Sequence, residues 1–404
     1  MNKKIITSMT LAFILSNSLQ ADSRDEQIAK MQEQIRQLQE SMQVLVDETS
    51  DLQTGFNYTT VDTDKAHSGL GPAASKVYYS KSPLSIGGYG EMYYASTNKE
   101  VGANTDSTQV KRFITYLGYK FSDKIILNAE IEYEGGGVTV AGGGDAVVIE
   151  FMYIDFLLHD TFNLRVGNML MPMGLVNQMH EPTLLTTVQR PSSSLFIIPS
   201  TWNESGIMAY GELMEGLEYK VATTSALQPD DTAGDKWLRI GRGSSFAVTN
   251  PGLAITTRLD YTGVNGVLVG ASAYNDKDIF IWDAHMDIKK GGARLYGTYA
   301  QTTRSGTTVG TTQVTDAYGG YINASFDILS LTNSEYKLPI FAQYENFNAQ
   351  KKRADGTSGN NTTNISLGLN FFPHPQVVLK TDYVLSTTNS LTDKTASASV
   401  GFIF

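Results

Sequence analysis

The groups in this 404-residue chain that could do chemistry are five histidines, 31 basic and 41 acidic side chains, and no cysteine at all. His67, His159, His180, His285 and His374 stand far apart, with no His-Glu-x-x-His pair, so their spacing points to no metal site and no metal cofactor is expected. Without cysteine there is no disulfide framework, no thiolate site and no lipid attachment at an N-terminal thiol. Residues 135–144 are glycine-rich, but they join two strand-like runs and lack the Lys-Ser/Thr and following helix of a phosphate-binding loop. No catalytic residue is expected. What remains is charge at alternate positions: Glu130 and Glu132, Arg258 and Asp260, Lys380 and Asp382. Charges two apart share one face of a strand, where they act on a neighbouring ion by their field and not by making bonds.

The elements that carry these charges repeat one theme from Leu84 to Phe404, a run of about ten alternating residues followed by turn chemistry. In 125–134, Leu127, Ala129, Ile131 and Tyr133 oppose Asn128, Glu130, Glu132 and Glu134. In 255–261, Ile255, Thr257, Leu259 and Tyr261 oppose Thr256, Arg258 and Asp260. The mean hydropathy of −0.18 is that of a chain whose polar and apolar faces cancel, and no stretch has the roughly 18 consecutive apolar residues of a spanning helix. The expected fold is all-β: a transmembrane antiparallel barrel of about 16 strands, apolar outside and charged inside, preceded by a short α-helical coiled coil. Short turns are expected at 122–123, 159–160, 214–216, 265–266, 289–292 and 373–375. Longer loops are expected at 135–145, 171–203, 227–252, 302–313, 348–361 and 387–394. Tyr93, Tyr94, Phe121, Tyr133, Tyr261, Phe371 and Phe372 near strand ends fit an interfacial aromatic girdle.

Residues 1–21 have the layout of a secretory signal: Lys3 and Lys4, an apolar core over 5–15, then a polar end at Ala21. Residues 22–53 carry Ile28, Met31, Ile35, Leu38, Met42, Leu45 and Leu52 at spacings that alternate three and four, with Thr49 filling the gap, which is a coiled-coil seam. Residues 54–83 show little periodicity and read as a linker to a barrel over 84–404. The net charge of −10 makes nucleic acid an unexpected partner.

Several segments resemble the phosphate-selective porin O/P group. Leu164-Arg165-Val166-Gly167-Asn168 running into Met171-Pro172-Met173-Gly174-Leu175 is similar to that family's strand leading into its constricting loop. His180-Glu181-Pro182, Arg190-Pro191 and Ile198-Pro199-Ser200-Thr201-Trp202 are similar to the loop itself. Val400, Phe402 and the terminal Phe404 resemble the C-terminal signal read by the barrel-assembly machinery, and a coiled coil ahead of a barrel resembles the DcaP-type porins. The resemblance implies a 16-stranded homotrimer in the lipid of a Gram-negative outer membrane, its coiled coil in the periplasm and able to contact the cell wall. It implies passive diffusion of small hydrophilic or charged solutes. The stretch 168–185 departs from the family in having no Arg or Lys, which argues against phosphate specificity. Two other readings stay open: a structural or adhesive protein anchored by its barrel, and a channel specific for small anions.

Strand parity places Arg112, Asp155, Arg165, Lys220, Arg258, Asp260 and Arg294 toward the lumen, together with Glu130, Glu132, Asp283 and Asp382. The loop adds His180, Glu181 and Arg190. An Arg or Lys on the lipid face near the midplane costs about 2–4 kcal/mol, which enforces this sorting.

Overall fold

A computed structural model describes residues 30–43, 61–135, 147–243 and 249–404. The chain forms two units, 1–57 and 58–404. In the first, residues 30–43 are helical. Met31, Ile35, Leu38 and Met42 are exposed along that helix, and Arg36 pairs with Glu33 and Glu40 at 2.7 Å. Ile28, Leu45, Leu52 and the signal segment lie outside the described residues.

The second unit is a closed antiparallel barrel of 16 strands, each bonded to its neighbours in sequence and the first to the last. β1 (Leu84–Asn98) closes on β16 (Leu391–Ile403) from Tyr89↔Ile403 to Asn98↔Lys394. Phe404 extends the seam by exchanging two 2.9 Å backbone hydrogen bonds with Gly88. The physical cause is visible in β8 (Leu253–Tyr261), where exposure alternates without a break: Ile255, Leu259 and Tyr261 point out, while Thr256, Arg258 and Asp260 point in. The same period-two rule puts Phe113, Leu117, Ile207, Val221, Ile365 and Leu367 on the outer face. The apolar face of this barrel therefore looks away from its core.

Connections at one end are short, at the six places expected, with an additional eleven-residue link of a different kind at 328–338 containing a 3₁₀ turn, Ile328–Leu331. The expected loop at 387–394 is instead a two-residue turn. Asn389 and Ser390 both have positive φ, 51° and 68°, which is the twist that lets a tight hairpin follow the sheet. Asn-Ser lacks the glycine that usually signals such a turn.

The larger correction concerns 54–83. Within it, Val61 and residues 67–78 are not a linker but part of the barrel interior: Val61, Leu70, Ala73, Ala74 and Val77 are buried. Its helix α1 (Pro72–Tyr79) packs on the inner faces of β1, β2 (Thr105–Ser122) and β3 (Ile125–Glu134). A Cβ at Gly118 would lie 2.4 Å from Val77, so the glycine permits the close approach. An eight-residue helix is too short to show a period, and Pro72 at its first turn reads as a linker residue until its fixed φ is seen starting the helix.

Candidate functional site

Between β5 (Phe162–Leu170) and β6 (Asn203–Met214) the chain turns into the barrel and stays there. Residues 171–202 lie against the inner wall, and wall charges hold them. Arg258 donates to Asp260 (2.7 Å) and to the Gly174 carbonyl (2.5 Å), while the Gly174 N–H donates to Asp283 (3.0 Å). His285 joins Asp283 and Asp260 at 2.6 and 2.9 Å, and Lys220 reaches Asp260 at 3.3 Å. Arg294 grips Asp287 with two bonds and donates to the Leu184 carbonyl at 2.6 Å. Further round, Lys380 donates to Thr187, the Val188 N–H to Asp382, and the Ser193 N–H and hydroxyl to Glu345.

Asp155 and Arg165 do a related task for α1. Arg165 is fully buried, bonds Asp155 twice at 2.8 and 2.9 Å and lies 4.0 Å over the Tyr153 ring. The Asp155 carboxylate also accepts from Tyr78 of α1 and from Tyr210. Glu181 of the loop accepts from the first N–H groups of α1, Ala73 and Ala74, at 3.0 and 3.1 Å. Of the residues that strand parity or the loop sends to the lumen, Asp155, Arg165, Glu181, Lys220, Arg258, Asp260, Asp283, Arg294 and Asp382 thus face inward and are engaged in seating the loop and the helix.

Arg112, Glu130, Glu132, His180 and Arg190 meet elsewhere, beside β2, β3 and β4 (Val147–His159). Here opposite charges face each other at longer range: Arg112 lies 3.7 Å from Glu132, Lys111 3.9 Å from Glu91, and His180 Nε2 3.6 and 3.8 Å from Glu130 and Glu150. Lys111 and Glu150 escape a parity argument because each is the extra residue of a β-bulge. The register steps from Glu91↔Arg112 to Met92↔Val110 around Lys111, and from Glu130↔Phe151 to Ile131↔Ile149 around Glu150. A bulge turns two successive residues toward one face; in the sequence it shows as two adjacent charges at Lys111-Arg112 and leaves no such trace at Glu150, which stands between Ile149 and Phe151. Arg239 and Arg242 come from the 226–252 loop, each with a buried nitrogen, Nη1 and Nε, that has no protein partner among the described residues. Burial and the guanidiniums of Arg242, Arg190 and Arg112 push Arg239 down from the usual arginine range. Next to this cluster, a polar cavity of 150 Å³ is lined by Gln189 and Arg190 of the loop and by Glu345, Asn364, Asp382 and Ser397 of the wall.

No family model matches the sequence. An uncharacterized protein of Aquifex aeolicus is 33% identical over 351 residues, 79% of each chain. Among solved structures, an anion-selective porin from Comamonas acidovorans superposes with a TM-score of 0.55 at 14% identity, covering 80% of this chain and 99% of its own. OprB of Pseudomonas putida gives 0.56 at 9%, over 80% and 94%. The outer membrane channel DcaP of Acinetobacter baumannii gives 0.54 at 10%, over 80% and 99%. These likenesses establish a shared barrel architecture.

Proposed function

The chain belongs to one family with the uncharacterized Aquifex aeolicus protein, and from its porin-type barrel we propose that it is an outer-membrane channel for passive diffusion of small hydrophilic or charged solutes. The observation that carries this reading is the cluster of Lys111, Arg112, Arg190, Arg239 and Arg242 facing Glu91, Glu130, Glu132 and Glu150, with Lys111 3.9 Å from Glu91 and Arg112 3.7 Å from Glu132. Opposed charges held apart in a closed barrel set up a transverse field at a constriction, the lever by which a pore sorts solutes. Arg190, Arg239 and Arg242 supply basic groups that 168–185 lacks, so small oxyanions are among the proposed solutes. We place the barrel in outer-membrane lipid as a homotrimer, assembled through its C-terminal Phe404 signal, with residues 22–53 joining three copies in the periplasm.

The test is single-channel recording in a planar bilayer, followed by the reversal potential in a salt gradient. Openings in groups of three support the trimeric pore. Arg190→Glu is expected to move the reversal potential toward cation preference without altering the folded fraction. A second reading has its own support: Asp155, Arg165, Arg258 and Asp283 are at most 2% exposed, as in an interior filled for anchorage alone. Silent bilayers from protein shown to be inserted would favour that structural reading.

A further inference from the structure

Around His180 the geometry asks for a cation. Its Nδ1 lies 2.9 Å from the carbonyl of Asn177. A carbonyl only accepts, so Nδ1 carries the proton and donates. In that tautomer Nε2 of the neutral ring presents a bare lone pair. That lone pair points at two carboxylates, 3.6 Å from Glu130 and 3.8 Å from Glu150. One donor atom from each of the three residues lies within 4.8 Å of the others. His180 Nε2 is buried and has no hydrogen-bond partner among the described residues, and the buried Glu130 and Glu150 carboxylates lie close enough to share a proton. Glu130 is 0% and His180 3% exposed. Three electron-rich groups that converge in a buried place repel one another unless something positive sits between them.

We propose that Glu130, Glu150 and His180 form a binding site for a divalent transition-metal ion of the zinc class. One imidazole nitrogen and two carboxylate oxygens are ligands such ions accept, at about 2.0–2.2 Å each, which sets ligands about 3.4 Å apart in a tetrahedron. The 3.6 and 3.8 Å separations need little adjustment to reach that. The Nδ1 bond to Asn177 is the outer-shell contact that commonly orients a metal-binding imidazole. Arg112 and Arg190 lie near and oppose a cation, but Arg112 faces Glu132 at 3.7 Å, and two carboxylates on the ion offset the rest. The ion would tie the inward loop, through His180, to β3 and β4 beside the charged cluster. The site holds whether or not the lumen conducts. A proton shared by Glu130 and Glu150 would relieve their repulsion too, but it gives His180 no role.

The experiment uses the full chain in detergent, stripped with a chelator, dialysed against Zn²⁺ in excess Mg²⁺ and assayed for metal by mass spectrometry. About one zinc per chain is expected, with affinity at least ~10-fold lower in Glu130→Gln and in His180→Gln. Co²⁺ should give visible absorption bands of a low-coordinate site that the His180→Gln chain lacks. Each variant is checked for barrel formation by strand circular dichroism and heat-modifiable gel mobility, so either one suffices if the other fails to fold. Uptake below about one-tenth of an ion per chain, or equal uptake by a folded His180→Gln chain, overturns the site and leaves the shared proton.

Discussion

Two stretches of the inner wall use the same residue types to opposite ends. Along β8 to β11 (the last being Ala293–Arg304), Arg258, Asp260, Asp283, His285, Asp287 and Arg294 are closed into bonds of 2.5–2.9 Å that clamp Gly174 and Leu184. Along β2 to β4, Glu130, Glu132, Arg112 and His180 are equally buried, yet their nearest opposite charges stand 3.6 Å or more away. A buried charge lowers its own desolvation cost by bonding, so the first group has done so within the protein, whereas the second keeps its capacity for something that is not protein. Inward direction alone therefore does not mark a functional charge. Satisfaction does.

That contrast can be broken most severely at Asp260, which accepts from Lys220, Arg258 and His285. Asp260→Ala leaves these three side chains without their shared partner and is expected to cost about 3–5 kcal/mol, measured as an earlier transition in urea followed by gel mobility. A loss under about 1 kcal/mol would mean that this side of the wall is no more committed than the other. The helix offers a milder cut. Gly118→Val puts a side chain where Val77 sits and is expected to cost about 1–3 kcal/mol, displace α1 and raise single-channel conductance, with protease cleavage in 61–83 reporting the displacement. Unchanged conductance with 61–83 cleaved would show that the helix does not narrow the passage. The smallest effect belongs to the hairpin far from either stretch. Ser390→Gly relieves a positive φ of 68° and should stabilise by about 0.5–1 kcal/mol, seen in the same urea titration with no change in reversal potential.

The sequence by itself determined the barrel, because period two is a property of each strand alone. Once Ile255 faces lipid, Arg258 and Asp260 must face in. It also pointed to the inward loop, since the 171–203 connection is too long for a turn and rich in apolar residues. Three things were decided only by the closed barrel. Residues 61–83 look like a linker because a helix as short as α1 has no period, and only the cavity it fills makes it a helix. Lys111 and Glu150 turn inward because bulges depend on the neighbouring strand's register, which no single strand encodes. His180 is separated from Glu130 and Glu150 by tens of residues, so no spacing could announce the trio; folding the loop back onto β3 and β4 is what brings them within 4.8 Å. Local alternation chooses a face, but partners across the barrel are chosen by closure.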